Sequence, residues 1–128
     1  FKLLNDSQGH MAGDEVLRCF ARNLQNAVRQ SDTICRWGGE EFILLLKDTT
    51  PDQARELGEK IRQQTERNTI SFNGSDLQIT TSIGLAQLHA GESLEQLITR
   101  ADRALYHAKQ TGRNRVIPWS KVSTESNL

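Results

Sequence analysis

Ile34-Cys35-Arg36-Trp37-Gly38-Gly39-Glu40-Glu41-Phe42-Ile43-Leu44-Leu45-Leu46 reads as two short apolar runs joined by two glycines and two adjacent carboxylates. That pattern predicts a β-hairpin over 33–46 whose tip presents acid. Glycines at such a tip commonly only supply the positive φ angles of a turn, and charged tips commonly only face water. A dipeptide such as Asn-Gly would satisfy the turn alone, however. Two glycines let a bulky ligand approach the backbone, and two adjacent carboxylates can hold Mg²⁺. The tip is therefore a candidate site for metal-bound phosphates.

The flanking segments alternate between helical and extended patterns. Between Gly13 and Val28, the apolar residues Val16, Leu17, Phe20, Ala21, Leu24 and Val28 recur at three- and four-residue spacing, which predicts a helix with one buried face. Asp14 and Glu15 then fall in its first turn, at the positive end of the dipole. After the hairpin, Thr50-Pro51-Asp52 opens a second helix with Ala54, Leu57, Gly58 and Ile61 along one side. Extended segments around 69–86 are broken by the turn dipeptide Asn73-Gly74. Ser93 caps a third helix, with Glu95 in its first turn and Leu94, Leu97, Ile98, Ala101, Leu105, Tyr106 and Ala108 spaced to face inward. Gly112 ends it, and Arg115-Val116-Ile117 reads as a short final strand. Ser120 to Leu128 is polar and aperiodic, and is expected to form a frayed tail. Helices interleaved with hairpins predict an α+β fold, helices over a mostly antiparallel sheet.

Composition sets outer limits. The 128 residues suit one domain with one core, and 36% hydrophobic with 25% charged residues is ordinary for a globular protein. Sixteen basic residues balance sixteen acidic ones, which argues against a protein that coats nucleic acid with positive charge. Cys19 and Cys35 sit in apolar runs without metal-ligand spacing and are expected to be reduced core residues. No apolar stretch is long enough to cross a bilayer and no signal peptide is visible, so a cytoplasmic domain without membrane contact of its own is expected, although the parent protein could be anchored upstream.

The hairpin string is similar to the signature loop of the GGDEF family, the diguanylate cyclases, in its GGEEF form. Upstream, Phe1-Lys2-Leu3-Leu4-Asn5-Asp6-Ser7-Gln8-Gly9-His10 and Gly13-Asp14-Glu15-Val16-Leu17 resemble the family's FKxxND..GH..GD..L block. Downstream, Thr81-Ser82-Ile83-Gly84-Leu85-Ala86, Ala101-Asp102-Arg103-Ala104-Leu105-Tyr106 and Ala108-Lys109-Gln110-Thr111-Gly112-Arg113-Asn114-Arg115 resemble its SIGvA, ADxALY and AKxxGRNrV blocks. The blocks run in family order along nearly the whole chain.

The resemblance implies a palm-like, ferredoxin-like nucleotidyl cyclase fold, a central mostly antiparallel sheet flanked by helices, over residues 1–119, with 120–128 as a polar tail. It implies condensation of two GTP into cyclic di-GMP with release of two pyrophosphates, dependent on Mg²⁺ or Mn²⁺. Such a transfer rests on positioning, cations and metal rather than on a covalent nucleophile. Glu40 and Glu41 take the catalytic and metal-binding places, Glu40 also helping to deprotonate the attacking hydroxyl. Asn5 and Asp14 read the guanine edge, with Leu17 under the base. Phe1 and Lys2 offer backbone amides to the β- and γ-phosphates, Gly38 and Gly39 leave room for them, and Lys109 and Arg113 supply phosphate cations. His10 is expected to be structural. Read without the family, Asn5-Asp6 is a turn, Asp14 a helix-end charge, and Lys109 and Arg113 complements to a helix dipole.

Arg29-Gln30-Ser31-Asp32, an RxxD separated from Gly38 by five residues, matches the family's allosteric inhibitory site for the product, with Lys60 where some members place an assisting arginine. Family members also carry a metal-bridging carboxylate on the first strand a few residues before the Phe-Lys pair. The sequence begins after it, so the domain is expected to lack the start of that strand and, taken alone, to be impaired. Two GTP molecules must meet face to face, which implies a homodimer for catalysis and an upstream sensor domain. The rival is a non-catalytic GGDEF-like module that binds cyclic di-GMP or GTP as a receptor; a ligand-free interaction domain is a third reading. Retention of Glu40, Glu41, Asn5, Asp14, Lys109 and Arg113 favours the enzyme.

Overall fold

The structure is a computed structural model that describes residues 2–3 and 9–126. Among the described residues, the elements in chain order are β1 (Lys2–Leu3), α1 (Gly9–Ala27), β2 (Thr33–Gly38), β3 (Glu41–Leu45), α2 (Pro51–Arg67), β4 (Ile70–Phe72), β5 (Ser75–Leu77), β6 (Ile79–Thr80), β7 (Ile83–Leu85), α3 (Leu94–Gln110), β8 (Val116–Pro118) and α4 (Trp119–Ser126). The α+β class holds, with three antiparallel strand pairs, β1–β6, β2–β3 and β4–β5, and one parallel pair, β7–β8.

The helices begin where their caps dictate. Thr50 and Ser93 each form a capping box, with Gln53 and Gln96 returning a side-chain bond to the cap amide, and Pro51 occupies the first turn of α2. The 73–74 turn between β4 and β5 is made by Asn73 (φ 51) and Gly74 (φ 79), two left-handed residues as a tight hairpin demands.

The core lies between α1, α2 and the strands. Ala12, Val16, Phe20 and Leu24 form the buried stripe of α1 at four-residue spacing, meeting Ile61 of α2, Leu77 and Ile79. Phe42 brings the β2–β3 hairpin onto this core, its ring 5.5 Å from that of Phe20 and tilted by 58°. Behind it, α3 lies directly on β7: a Cβ placed on Gly84 would come within 2.3 Å of both Ala101 O and Leu105 N, so only glycine permits that approach. A cleft of about 560 Å³ remains between β3, β7, α2 and α3, with Phe42, Ile83 and Leu105 among its apolar walls.

Three expectations need correction. Helix α1 begins at Gly9, because Ala12 continues the buried stripe one turn upstream, so Asp14 and Glu15 lie beyond its first turn; Glu15 instead pairs with Arg18 at 2.5 Å. Cys19 is half-buried and Cys35 exposed, both as free thiols, so neither is a core residue. The expected frayed tail is helical through Ser126, and α4 docks by burying Val122 against Ala104, Ala108 and Ile117. No described helix is long and apolar enough to cross a membrane.

Candidate active site

Gly38 pairs with Glu41, so the hairpin turns through Gly39 and Glu40 alone, and Gly39 takes the left-handed φ of +50°. A register shift between Arg36 and Gly38 sets Trp37 out of the ladder. The Arg36 guanidinium closes the tip from below, donating through Nε (2.9 Å) and Nη2 (2.5 Å) to Gly39 O. Sequence reasoning missed this brace; its signal was an arginine three residues before a turn carbonyl. Gly38 has no such conformational demand, and a Cβ there would meet nothing within 4 Å. The fold does not need glycine at 38, and the open space there is what a ligand close to the backbone requires.

Glu40 is exposed at the tip and Glu41 half-buried at the start of β3, both on the rim of the cleft. Lys109, near the end of α3, reaches the same rim and places Nζ 3.7 Å from Glu41 Oε1. Four residues on, Arg113 is exposed at a left-handed φ of 61°, its N–H donating to Ala108 O at 2.9 Å. Hairpin and helix terminus thus bring acid and base into one place. Among the described residues no group of three or more His, Cys, Asp or Glu side chains is arranged to hold a metal. Two neighbouring carboxylates nonetheless fit Mg²⁺, which is commonly held by one or two carboxylates together with substrate phosphates and water.

The remaining expected residues are more dispersed. Asp14 is exposed and Leu17 half-buried on α1. Lys2 lies in β1, where its backbone is opposite Thr80. Phe1 and Asn5, like the side chains of Lys2 and His10, lie outside the described residues.

At the base of the hairpin, Arg29 and Asp32 form a closed unit. Asp32 Oδ2 accepts from Arg29 N and Oδ1 from Lys47 N, both at 3.0 Å, while Arg29 Nε stands 3.5 Å from Oδ2. The Asp32 side chain is 2% exposed. Burial by itself pushes its carboxyl upward, but the Lys47 and Arg29 amides and the Arg29 guanidinium outweigh it and hold the group below its ordinary range. Arg29 also donates to Lys47 O and, at 2.8 Å, to Thr49 Oγ1. Both RxxD residues are therefore engaged in stapling the start of β2 to the chain leaving β3. Lys60 is exposed on α2.

Residues 1–115 match the family model described as "Diguanylate cyclase, GGDEF domain". The chain belongs to the GGDEF domain family. This GGDEF domain is 47% identical over 117 residues to diguanylate cyclase DgcM of Escherichia coli K12, covering 91% of the chain and 28% of that protein. It is 43% identical over 117 residues to diguanylate cyclase A of Treponema denticola, covering 91% of the chain and 32% of that protein. The chain thus spans about a third or less of the length of these relatives. Among solved structures, it is similar to the GGDEF domain of DgcB from Caulobacter crescentus in complex with c-di-GMP, with a TM-score of 0.84, 30% identity, and coverage of 91% of this chain and 70% of that one.

Proposed function

We propose that this GGDEF domain condenses two GTP molecules into cyclic di-GMP. The observation that carries this reading is the hairpin tip: two carboxylates beside a glycine whose missing side chain faces open space, with Lys109 3.7 Å from Glu41. In each half-reaction the 3′-hydroxyl of one GTP attacks the α-phosphorus of the other. The new P–O bond forms as the bond to pyrophosphate breaks, and Glu40 accepts the hydroxyl proton. Glu40 and Glu41 would hold Mg²⁺ or Mn²⁺, which when bound offsets charge on the phosphates. Lys109 and Arg113 meet the phosphate oxygens from the α3 side, and Phe1 and Lys2 offer backbone amides from the strand side. Gly38 and Gly39 let the triphosphate approach the turn. The Asp14 carboxylate accepts from the guanine N1–H and N2–H₂ with the Asn5 amide alongside, and Leu17 supports the base.

One active site holds one GTP, so a homodimer of this domain brings two together in the cytoplasm, under control of an upstream sensor domain. Product inhibition belongs to the same reading. It would act through Arg29, whose guanidinium remains largely exposed, with Asp32 and Lys60, and requires the product to share or displace the bonds that Arg29 and Asp32 make at the hairpin base.

The test is incubation of the full-length protein with GTP and Mg²⁺, followed by chromatography for cyclic di-GMP and pyrophosphate. Product that disappears with Glu40→Ala supports the reading. Cyclic di-GMP binding that Arg29→Ala abolishes, without any turnover, would make the domain a receptor instead.

A further inference from the structure

Between α3 and β8 the chain takes three consecutive positive φ angles, at Gly112 (130°), Arg113 (61°) and Asn114 (47°). Asparagine tolerates the left-handed region better than most residues, whereas arginine is held there only when its surroundings demand it. The side-chain restraint from α2 is applied through Asn114. Its amide N–H donates to Ser82 Oγ at 3.2 Å, its Nδ2 donates to Glu66 Oε2, and its Oδ1 accepts from Arg62 Nη1 at 3.1 Å. Arg62 is itself fixed by the Glu59 carboxylate, with Nε to Oε1 at 3.2 Å and Nη2 to Oε2 at 3.0 Å, and lies 3.8 Å from Glu66. One asparagine therefore ties the turn to α2 and to the residue preceding β7. On its other side, the Arg113 guanidinium has no partner among the described residues and faces solvent. The Arg113 backbone is also held, its N–H donating to Ala108 O at 2.9 Å and its carbonyl accepting from Arg115 Nε at 3.0 Å, so the side-chain cation is what the turn leaves presented.

We propose that Asn114, clasped between Arg62 and Glu66, is a positioning residue that aims Arg113 at the substrate triphosphate. The inference rests on the cyclase reading above and gives a role to Ser82 and Asn114, two motif residues to which that reading assigns none. A clasp that served only stability would raise the melting temperature and leave nucleotide affinity unchanged; a positioning clasp acts on affinity through Arg113.

The experiment measures the dissociation constant of a non-hydrolysable GTP analogue with Mg²⁺ by titration calorimetry on the full-length protein, for the parent, Asn114→Ala, Arg113→Ala and the double variant. Asn114→Ala is expected to weaken binding on the order of tenfold, as loss of one charge-assisted contact would. In the Arg113→Ala background the same change is expected to add less than about twofold, because the two residues act as one unit. Asn114→Asp combined with Glu66→Gln restores the donor and acceptor pattern and is expected to recover parental affinity; this pair decides the matter if Asn114→Ala does not fold. Multiplying losses in the double variant, or unchanged affinity in Asn114→Ala, overturns the proposal alone. A parent that binds no guanosine nucleotide overturns the cyclase reading and this proposal with it.

Discussion

Replacing Gly38 and Gly39 separately by alanine distinguishes a glycine kept for substrate from one kept for the backbone. A methyl group on Gly38 meets no protein atom within 4 Å and the residue has no positive φ, so the folded state accepts it without strain. The unfolded chain loses freedom, which stabilises the fold by about 0.4–1 kcal/mol. With an unfolding entropy of roughly 2.1 cal/mol/K per residue, a chain of this length gains about 1.5–4 °C in Tm. Gly39 sits at φ +50°, where alanine costs about 1–2 kcal/mol, equivalent to a fall of roughly 4–7 °C. Activity should order the other way for Gly38. The added methyl occupies space assigned to phosphate, and a displacement of about 1 Å in the reacting geometry can cost on the order of 10²-fold in rate. Differential scanning fluorimetry and a pyrophosphate-release assay on the same preparations read both quantities. If Gly38→Ala lowers Tm as much as Gly39→Ala, or keeps full cyclase activity, the assignment of that open space to substrate is wrong.

Gly84→Ala forces a Cβ to within 2.3 Å of two backbone atoms of α3, which cannot swing aside as a side chain would; a loss of about 1–3 kcal/mol or more is expected, seen as a lowered urea midpoint with an unchanged slope. Asp32→Ala removes the acceptor shared by the Arg29 and Lys47 amides and should destabilise by about 1–3 kcal/mol in the same experiment. The carboxyls of Asp32 and Glu92 are both held low in the folded state, Glu92 chiefly by its hydrogen bonds from Arg100. Because their folded values lie below the unfolded ones, near 3.9 and 4.3, the stability they add is complete at neutral pH and lost as pH falls below about 4.5. Urea midpoints measured between neutral and acid pH should show that decline, and Asp32→Asn should flatten it. Val122→Ala, which strips the buried contact of α4, should cost about 1–2 kcal/mol, and an unchanged Tm would show that α4 contributes nothing to the core.

What the sequence revealed was what short-range chemistry decides. Thr50-Pro51, Ser93 and Asn73-Gly74 act within three residues of themselves, so the starts of α2 and α3 and the β4–β5 turn could be read directly. The start of α1 was misplaced because Gly9 and Gly13 are poor helix formers, and the burial of Ala12 that favours the longer helix is visible only in three dimensions. Helix α4 was missed for the same kind of reason: one valine makes no period, and its burial depends on Ala104, Ala108 and Ile117. In the site, Glu40, Glu41, Lys109 and Arg113 stood out because the chemistry proposed for them belongs to their side chains. Arg62 and Asn114 did not, because their roles come from bonds spanning 52 and 48 residues. Asp32 was legible as a charge, but its burial beneath the hairpin was not.

The site's organisation follows from where its charges are anchored. The hairpin is fixed at its base by Asp32 and at its tip by Arg36, and the turn after α3 is fixed by Asn114; each brace lies outside the space between Glu41 and Lys109. Among the described residues, that space is spanned by the ion pair at 3.7 Å between side chains 42% and 29% exposed. An ion pair so hydrated contributes about 0–1 kcal/mol. Breaking it therefore costs little, and on the cyclase reading an entering metal-bound triphosphate would draw Glu41 to the cation and Lys109 to the phosphate without disturbing the braces on either side. Each charge would then exchange one opposite partner for another of greater charge, so the pair would keep both side chains near the positions that reading gives them while opposing substrate entry only weakly. The strongly held groups in this domain thus belong to the frame, and the groups assigned to chemistry are those the fold holds loosely.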